Sequence, residues 1–130
     1  MTDSKDQYWQ KEMDPELKRV AKDKGTEAPY TGKYLKEHAD GTYRCAVCGN
    51  PIFDAKAKFE SGTGWPSFYE PVSKDAVTYH EDREMGMSRV EVKCGKCDAH
   101  LGHVFDDAVD QPTGKRYCIN SVCLDLEKKK

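Results

Sequence analysis

The chain has 130 residues, 37% hydrophobic and 34% charged, with six cysteines and a formal net charge of −2. That length suits one domain spanning residues 1–130, and an apolar fraction so lean calls for a metal or disulfide staple. Charges of both signs are interspersed, so composition gives no electrostatic case for nucleic acid or an anionic membrane.

No apolar run approaches about 18 residues, and no charged-then-apolar leader opens the sequence. The expectation is a cytoplasmic protein whose cysteines serve metal binding and redox chemistry rather than disulfides.

Residues 1–25 read as a helical lead-in. Asp3 or Ser4 can cap a short helix in which Trp9 and Met13 fall four apart on one face. Asp14-Pro15-Glu16 supplies a second start, with a cap, a proline in the first turn and an acid beside it. Leu17, Val20 and Ala21 make a narrow apolar stripe, and Gly25 is placed to end the helix. So narrow a stripe puts these helices on the outside of the domain. Residues 26–32, containing Pro29, read as a loop.

From Gly41 the pattern turns to short strands. Tyr43-Arg44-Cys45 begins one that runs into a cysteine knuckle, and residues 76–80 form another. Residues 88–94 alternate, with Val90, Val92 and Cys94 facing one way and Arg89, Glu91 and Lys93 the other. Residues 101–105 and an unbroken run over 116–126 follow, separated by a turn at Gln111-Pro112-Thr113-Gly114. Residues 126–130 read as a charged tail. The class is mostly antiparallel β with short N-terminal helices.

Cys45-Ala-Val-Cys48 and Cys94-Gly-Lys-Cys97 are paired C-x-x-C knuckles. Two intervening residues let both sulfurs of a knuckle turn onto one tetrahedral ion. Thiolate ligands select zinc ahead of iron, and four of them close the shell, so the ion is expected to be structural. Two disulfides or one redox pair are the competing readings.

Cys118 and Cys123 remain. Strand parity sets Arg116, Cys118 and Asn120 on one face, and a neighbouring guanidinium favours the thiolate form of Cys118. Cys123 faces away as a small buried residue. His100 and His103 follow the second knuckle, and four thiolates leave them free to partner a thiol and a substrate oxygen. His103 shares a strand face with Phe105 and Asp107, whose carboxylate could orient the imidazole. His38 and His80 read as ordinary polar residues. Residues 61–68, Ser-Gly-Thr-Gly-Trp-Pro-Ser-Phe, form a fixed irregular loop presenting Trp65 as an apolar wall.

Assembled, these residues resemble the type B methionine sulfoxide reductases, which act on the R-epimer. The resemblance runs from about Gly25 to Leu124 and covers both knuckles, the Trp65 loop, Cys97-Asp-Ala-His-Leu-Gly-His-Val-Phe105, Pro112-Thr-Gly114 and Arg116-Tyr-Cys-Ile-Asn-Ser121. It implies the β-tent fold of two antiparallel sheets, one structural zinc on Cys45, Cys48, Cys94 and Cys97, and Cys118 as nucleophile forming a sulfenic acid. It implies further that His103 and Asn120 serve the sulfoxide oxygen, that His100, Asp107 and Arg116 complete the polar side, and that Trp65 and Phe105 hold the methyl group. Thioredoxin or another thiol reductant would regenerate a monomeric enzyme.

One position departs from many relatives, which carry a resolving cysteine where this chain has Thr63. Cys123 is the other candidate resolver. In an unbroken strand it would lie about 16 Å from Cys118 on the opposite face, beyond disulfide reach, so direct reduction is expected. A zinc-stapled binding module and a zinc-coupled thiol sensor share the knuckles. A binding module has no need of Cys118, His103, Asn120 and Trp65 together, and a sensor would oxidise without sulfoxide turnover.

Overall fold

The computed structural model describes residue 9, residues 14–83, residue 86 and residues 88–128. Helix α1 (Pro15–Ala21) starts as the sequence indicates, with the Asp14 carboxylate accepting from the Glu16 amide at 2.8 Å. Lys24 rather than Gly25 adopts the left-handed conformation after it, at φ 59°. The stripe is deeper than expected: Leu17, Val20 and Ala21 are all buried against a sheet strand and a 3₁₀ turn. The helix is therefore part of the core. The expected earlier helix lies outside the described residues, Trp9 excepted, whose indole Nε1 donates to the Cys97 carbonyl at 3.0 Å.

Two antiparallel sheets form the body. The smaller contains β1 (Gly41–Cys45), β2 (Pro51–Asp54) and β9 (Leu124–Lys128), in the order β2-β1-β9. The larger contains β3 (Lys58–Phe59), β4 (Ser67–Phe68), β5 (Val77–Asp82), β6 (Arg89–Cys94), β7 (His100–Phe105) and β8 (Arg116–Ile119), in the order β3-β4-β8-β7-β6-β5. Aromatic rings join them: Phe53 stacks on Phe68 at 4.2 Å between centroids, and Tyr43 meets Phe68 edge-on at 5.2 Å. Such pairs add to the burial of their large apolar area.

The expected unbroken strand over 116–126 is two strands in different sheets. β8 stops at Ile119, a 3₁₀ turn covers Ser121–Cys123, and β9 continues in the smaller sheet. The cause is Glu27, a buried acid whose carboxylate takes the amides of Ser121 and Val122 at 2.7 and 3.2 Å. A charged acceptor thus satisfies donors that a sheet ladder would otherwise need. Residues 126–128, expected in a tail, pair with β1. Among the described residues no helix is long and apolar enough to cross a membrane.

Candidate active site and metal centre

The larger sheet has a core face and a polar face. Direct cross-strand pairs point their side chains to the same side. Ser67 pairs with Cys118, Cys118 with His103, His103 with Glu91, and Glu91 with His80. The Phe105–Arg116 and Asp82–Arg89 pairs extend that face, while Phe68, Tyr117 and Val92 turn to the core. Alternation here separates core from site.

His100 and His103 are an odd number of residues apart, so an ideal strand would send them to opposite faces. The register with β6 slips between Val92↔Gly102 and Lys93↔His100, leaving Leu101 as an extra residue. This bulge brings the two rings to 5.5 Å, edge to face. Asn120 secures it, because its backbone N and its side-chain Nδ2 both donate to the Leu101 carbonyl at 3.0 Å. Gly102 is required at the slip, since a Cβ there would meet the Cys118 carbonyl oxygen.

A cleft of about 250 Å³ opens on this face, lined by Cys118, Arg116, His103, Asn120, Trp65, Phe105, Thr63, Thr26, Arg89 and Gly102. Arg116 Nη1 donates to Cys118 Sγ at 2.9 Å, and the same guanidinium grips Asp107 with two bonds of 3.0 and 2.8 Å. That grip raises the pKa of Arg116 and lowers that of Asp107. The guanidinium also lies 4.5 Å from the centre of the Phe105 ring. Thr63 Oγ1 also stands 3.3 Å from the sulfur and Ser67 Oγ 3.9 Å, and Ser61 links the two hydroxyls at 2.8 and 2.7 Å.

His100 and His103 are each backed by a buried carboxylate. His100 Nδ1 is 2.7 Å from Glu91 Oε2, and Lys24 Nζ lies 3.5 Å from the same acid. Burial lowers the pKa of His100, with Glu91 opposing the shift, so the ring favours its neutral form. His103 Nε2 is 2.8 Å from Asp82 Oδ2, which Arg89 also approaches at 3.5 Å. Asp107, expected to orient His103, instead lies beyond the end of β7 and holds Arg116. Asp82 has the place against His103.

The Trp65 loop is fixed as expected. The indole Nε1 donates to the Glu27 carbonyl at 2.9 Å, and Tyr30 ties the loop down through its amide to Gly64 O and its hydroxyl to Gly62 O. Asn120 Oδ1 accepts from the Glu27 amide, which leaves one Nδ2 hydrogen for the cleft. Cys123 is buried, donates to the His100 carbonyl at 3.3 Å, and has its pKa pushed up by burial. His38 and His80 are exposed, beside Glu60 and Thr78 respectively.

Sequence reading missed Asp82, Glu91 and Glu27. Glu91 alternates with valines as an exposed strand residue would, Asp82 ends an edge strand, and Glu27 sits in an apparent loop. Only the polar face and the strand break reveal that all three are buried.

The four knuckle sulfurs form a second cluster. All lie within 4.8 Å of one another, with Cys45–Cys97 at 3.7 Å and Cys48–Cys94 at 3.6 Å. Four thiolates around a zinc with bonds of about 2.3 Å sit about 3.8 Å apart in a regular tetrahedron, so the residues fit a metal ion. The Lys96 amide donates to Cys94 Sγ at 3.4 Å, which steadies that sulfur.

A two-sheet β protein carrying a thiol in a polar, aromatic-walled cleft, with four cysteines set for a metal, is the class these features define. The chain belongs to the SelR domain family, which it matches over residues 13–128. It is 58% identical over 118 residues to a Pseudomonas fluorescens protein named peptide methionine sulfoxide reductase MsrB, covering 91% of this chain and 90% of that one. A Pseudomonas entomophila protein of the same name is 56% identical over 119 residues, covering 92% and 90%.

Proposed function

We propose that this protein is a single-domain peptide-methionine (R)-S-oxide reductase that repairs oxidised methionine in proteins through Cys118. One observation carries the reading: Cys118 Sγ faces the cleft under the Arg116 guanidinium at 2.9 Å, directly across a strand pair from His103. A sulfoxide oxygen leaves only when protonated, so an acid and a nucleophile must meet on one face.

In the proposed step the substrate's S–O bond breaks and oxygen passes to Cys118 with a proton from the site, giving a sulfenic acid and a sulfide. The thiolate is oxidised by two electrons and the substrate sulfur reduced by two. His103 supplies the proton, and Asn120 offers its remaining amide hydrogen to the oxygen. Arg116 steadies the sulfur, Asp107 holds Arg116, and His100 packs behind His103. Trp65 and Phe105 wall the methyl group.

Zinc is the metal we propose for the four cysteines, where it would contribute folding energy and no catalytic step. A second thiol must return Cys118 to its reduced form. Thr63 has no sulfur, and Cys123 is buried and engaged with the His100 carbonyl. Thioredoxin or a similar reductant therefore attacks the sulfenic acid directly, releasing water and leaving a mixed disulfide that its second thiol resolves. The protein acts as a monomer in the cytoplasm. With dithiothreitol, wild type should consume a peptide containing methionine-R-sulfoxide and Cys118→Ser should not; turnover retained in the variant overturns the assignment.

A further inference from the structure

Asp82 sits at the end of the edge strand β5, directly opposite Arg89 on β6. A strand-end acid opposite an arginine is ordinarily a wet surface pair of little energetic weight. Here the Asp82 side chain is only 3% exposed, and the His103 imidazole lies nearer to it than the guanidinium does, at 2.8 against 3.5 Å. Burying a carboxylate is costly unless strong partners meet it. Arg89, β6 and the sheet edge hold the acid against one nitrogen of the ring that faces Cys118.

We propose that Asp82 is a positioning residue for the reductase reaction, fixing the proton of neutral His103 on Nε2 so that Nδ1 is the nitrogen that exchanges the reaction's proton. The inference rests on the reductase reading above. An ionised carboxylate accepts and cannot donate, so the nitrogen facing it carries hydrogen in both the neutral and the charged ring. The other groups near His103 are already committed. Glu91 is bound to His100, whose ring is 5.5 Å away, and Arg116 is shared between Cys118 and Asp107. Asp82 is the carboxylate bonded to this imidazole among the described residues. During turnover the charged ring gives its Nδ1 proton to the oxygen leaving the sulfoxide, and Cys118 takes up that oxygen as a sulfenic acid. Solvent returns a proton to Nδ1 before the next cycle.

The test uses full-length zinc-loaded protein with ¹⁵N-labelled histidine, whose ring shifts report the tautomer, alongside steady-state kinetics on a methionine-R-sulfoxide peptide. In its neutral form, wild-type His103 should appear as the Nε2–H tautomer. Asp82→Asn, which can donate as well as accept, should show a mixture or the Nδ1–H form. Its kcat should fall on the order of tenfold or more with KM nearly unchanged. In a His103→Gln background the same substitution should remove nothing further. A neutral wild-type His103 that carries its proton on Nδ1, an unchanged tautomer in Asp82→Asn, or an equal loss in the His103→Gln background each overturns the proposal. The wild-type spectrum decides the first of these even if the variants fold poorly. Absence of sulfoxide turnover by wild type would overturn the reductase reading instead, with the spectrum still judging what Asp82 does to the ring.

Discussion

Cys118 and Cys123 lie five residues apart in opposite surroundings. The first faces a cleft under a cation and beside two hydroxyls. The second is sealed in the core with its thiol raised above the ordinary range by burial. At a pH near 8 a thiol with an elevated pKa holds almost no thiolate, and alkylation needs thiolate and access together. With zinc bound, iodoacetamide should therefore label Cys118 and spare Cys123 until denaturant is added, as read by peptide mass mapping; labelling of Cys123 at the rate of Cys118 would contradict this. The environment of Cys118 was largely legible, because parity alone sets Arg116 beside it. That of His103 was not: its partner Asp82 is 21 residues away in sequence and meets it only across the sheet.

The decisive elements are a bulge and a break. Sequence periodicity located β5, β6 and β7 to within two residues at each end, since alternating valines and flanking turns carry that signal. It could not see that Leu101 is an extra residue, and so could not explain how His100 and His103 share a face. Nor could it end β8 at Ile119, because Val122, Cys123 and Leu124 resume an apolar run after Asn120-Ser121. The agent that ends it, Glu27, lies 94 residues away in sequence from the Ser121 amide it accepts. Both irregularities converge on Asn120, which staples the bulged carbonyl and begins the turn into the other sheet. Departures from ideal period of this kind gather where a site overrides regularity, and here they flank the cleft that Cys118 lines.

Across the whole molecule, the four cysteines bring together two sheets that also share a core of aromatic and aliphatic side chains. Cys45 ends β1 in the smaller sheet, Cys94 ends β6 in the larger, and their sulfurs close on a common centre. The low apolar content follows from the same architecture, because one face of the larger sheet is given to polar site residues and cannot serve as core. A metal held there, as proposed above, would add its binding energy to folding. Chelation, or Cys48→Ser, should lower Tm by roughly 10 °C or more in calorimetry. A stripped protein melting with the holoprotein would show the cluster to be dispensable for stability. The paired knuckles made this centre legible from spacing, although which sheets it joins needed the fold.

Cys118 is proposed to take the oxygen of methionine-R-sulfoxide as a sulfenic acid, with no second cysteine of this chain joining it. A single turnover without reductant, followed by intact and peptide mass spectrometry, tests it most directly. The expected products are one equivalent of methionine from the R-epimer, none from the S-epimer, and one oxygen gained on Cys118 that dimedone traps. A Cys118–Cys123 disulfide, or equal consumption of both epimers, would contradict it.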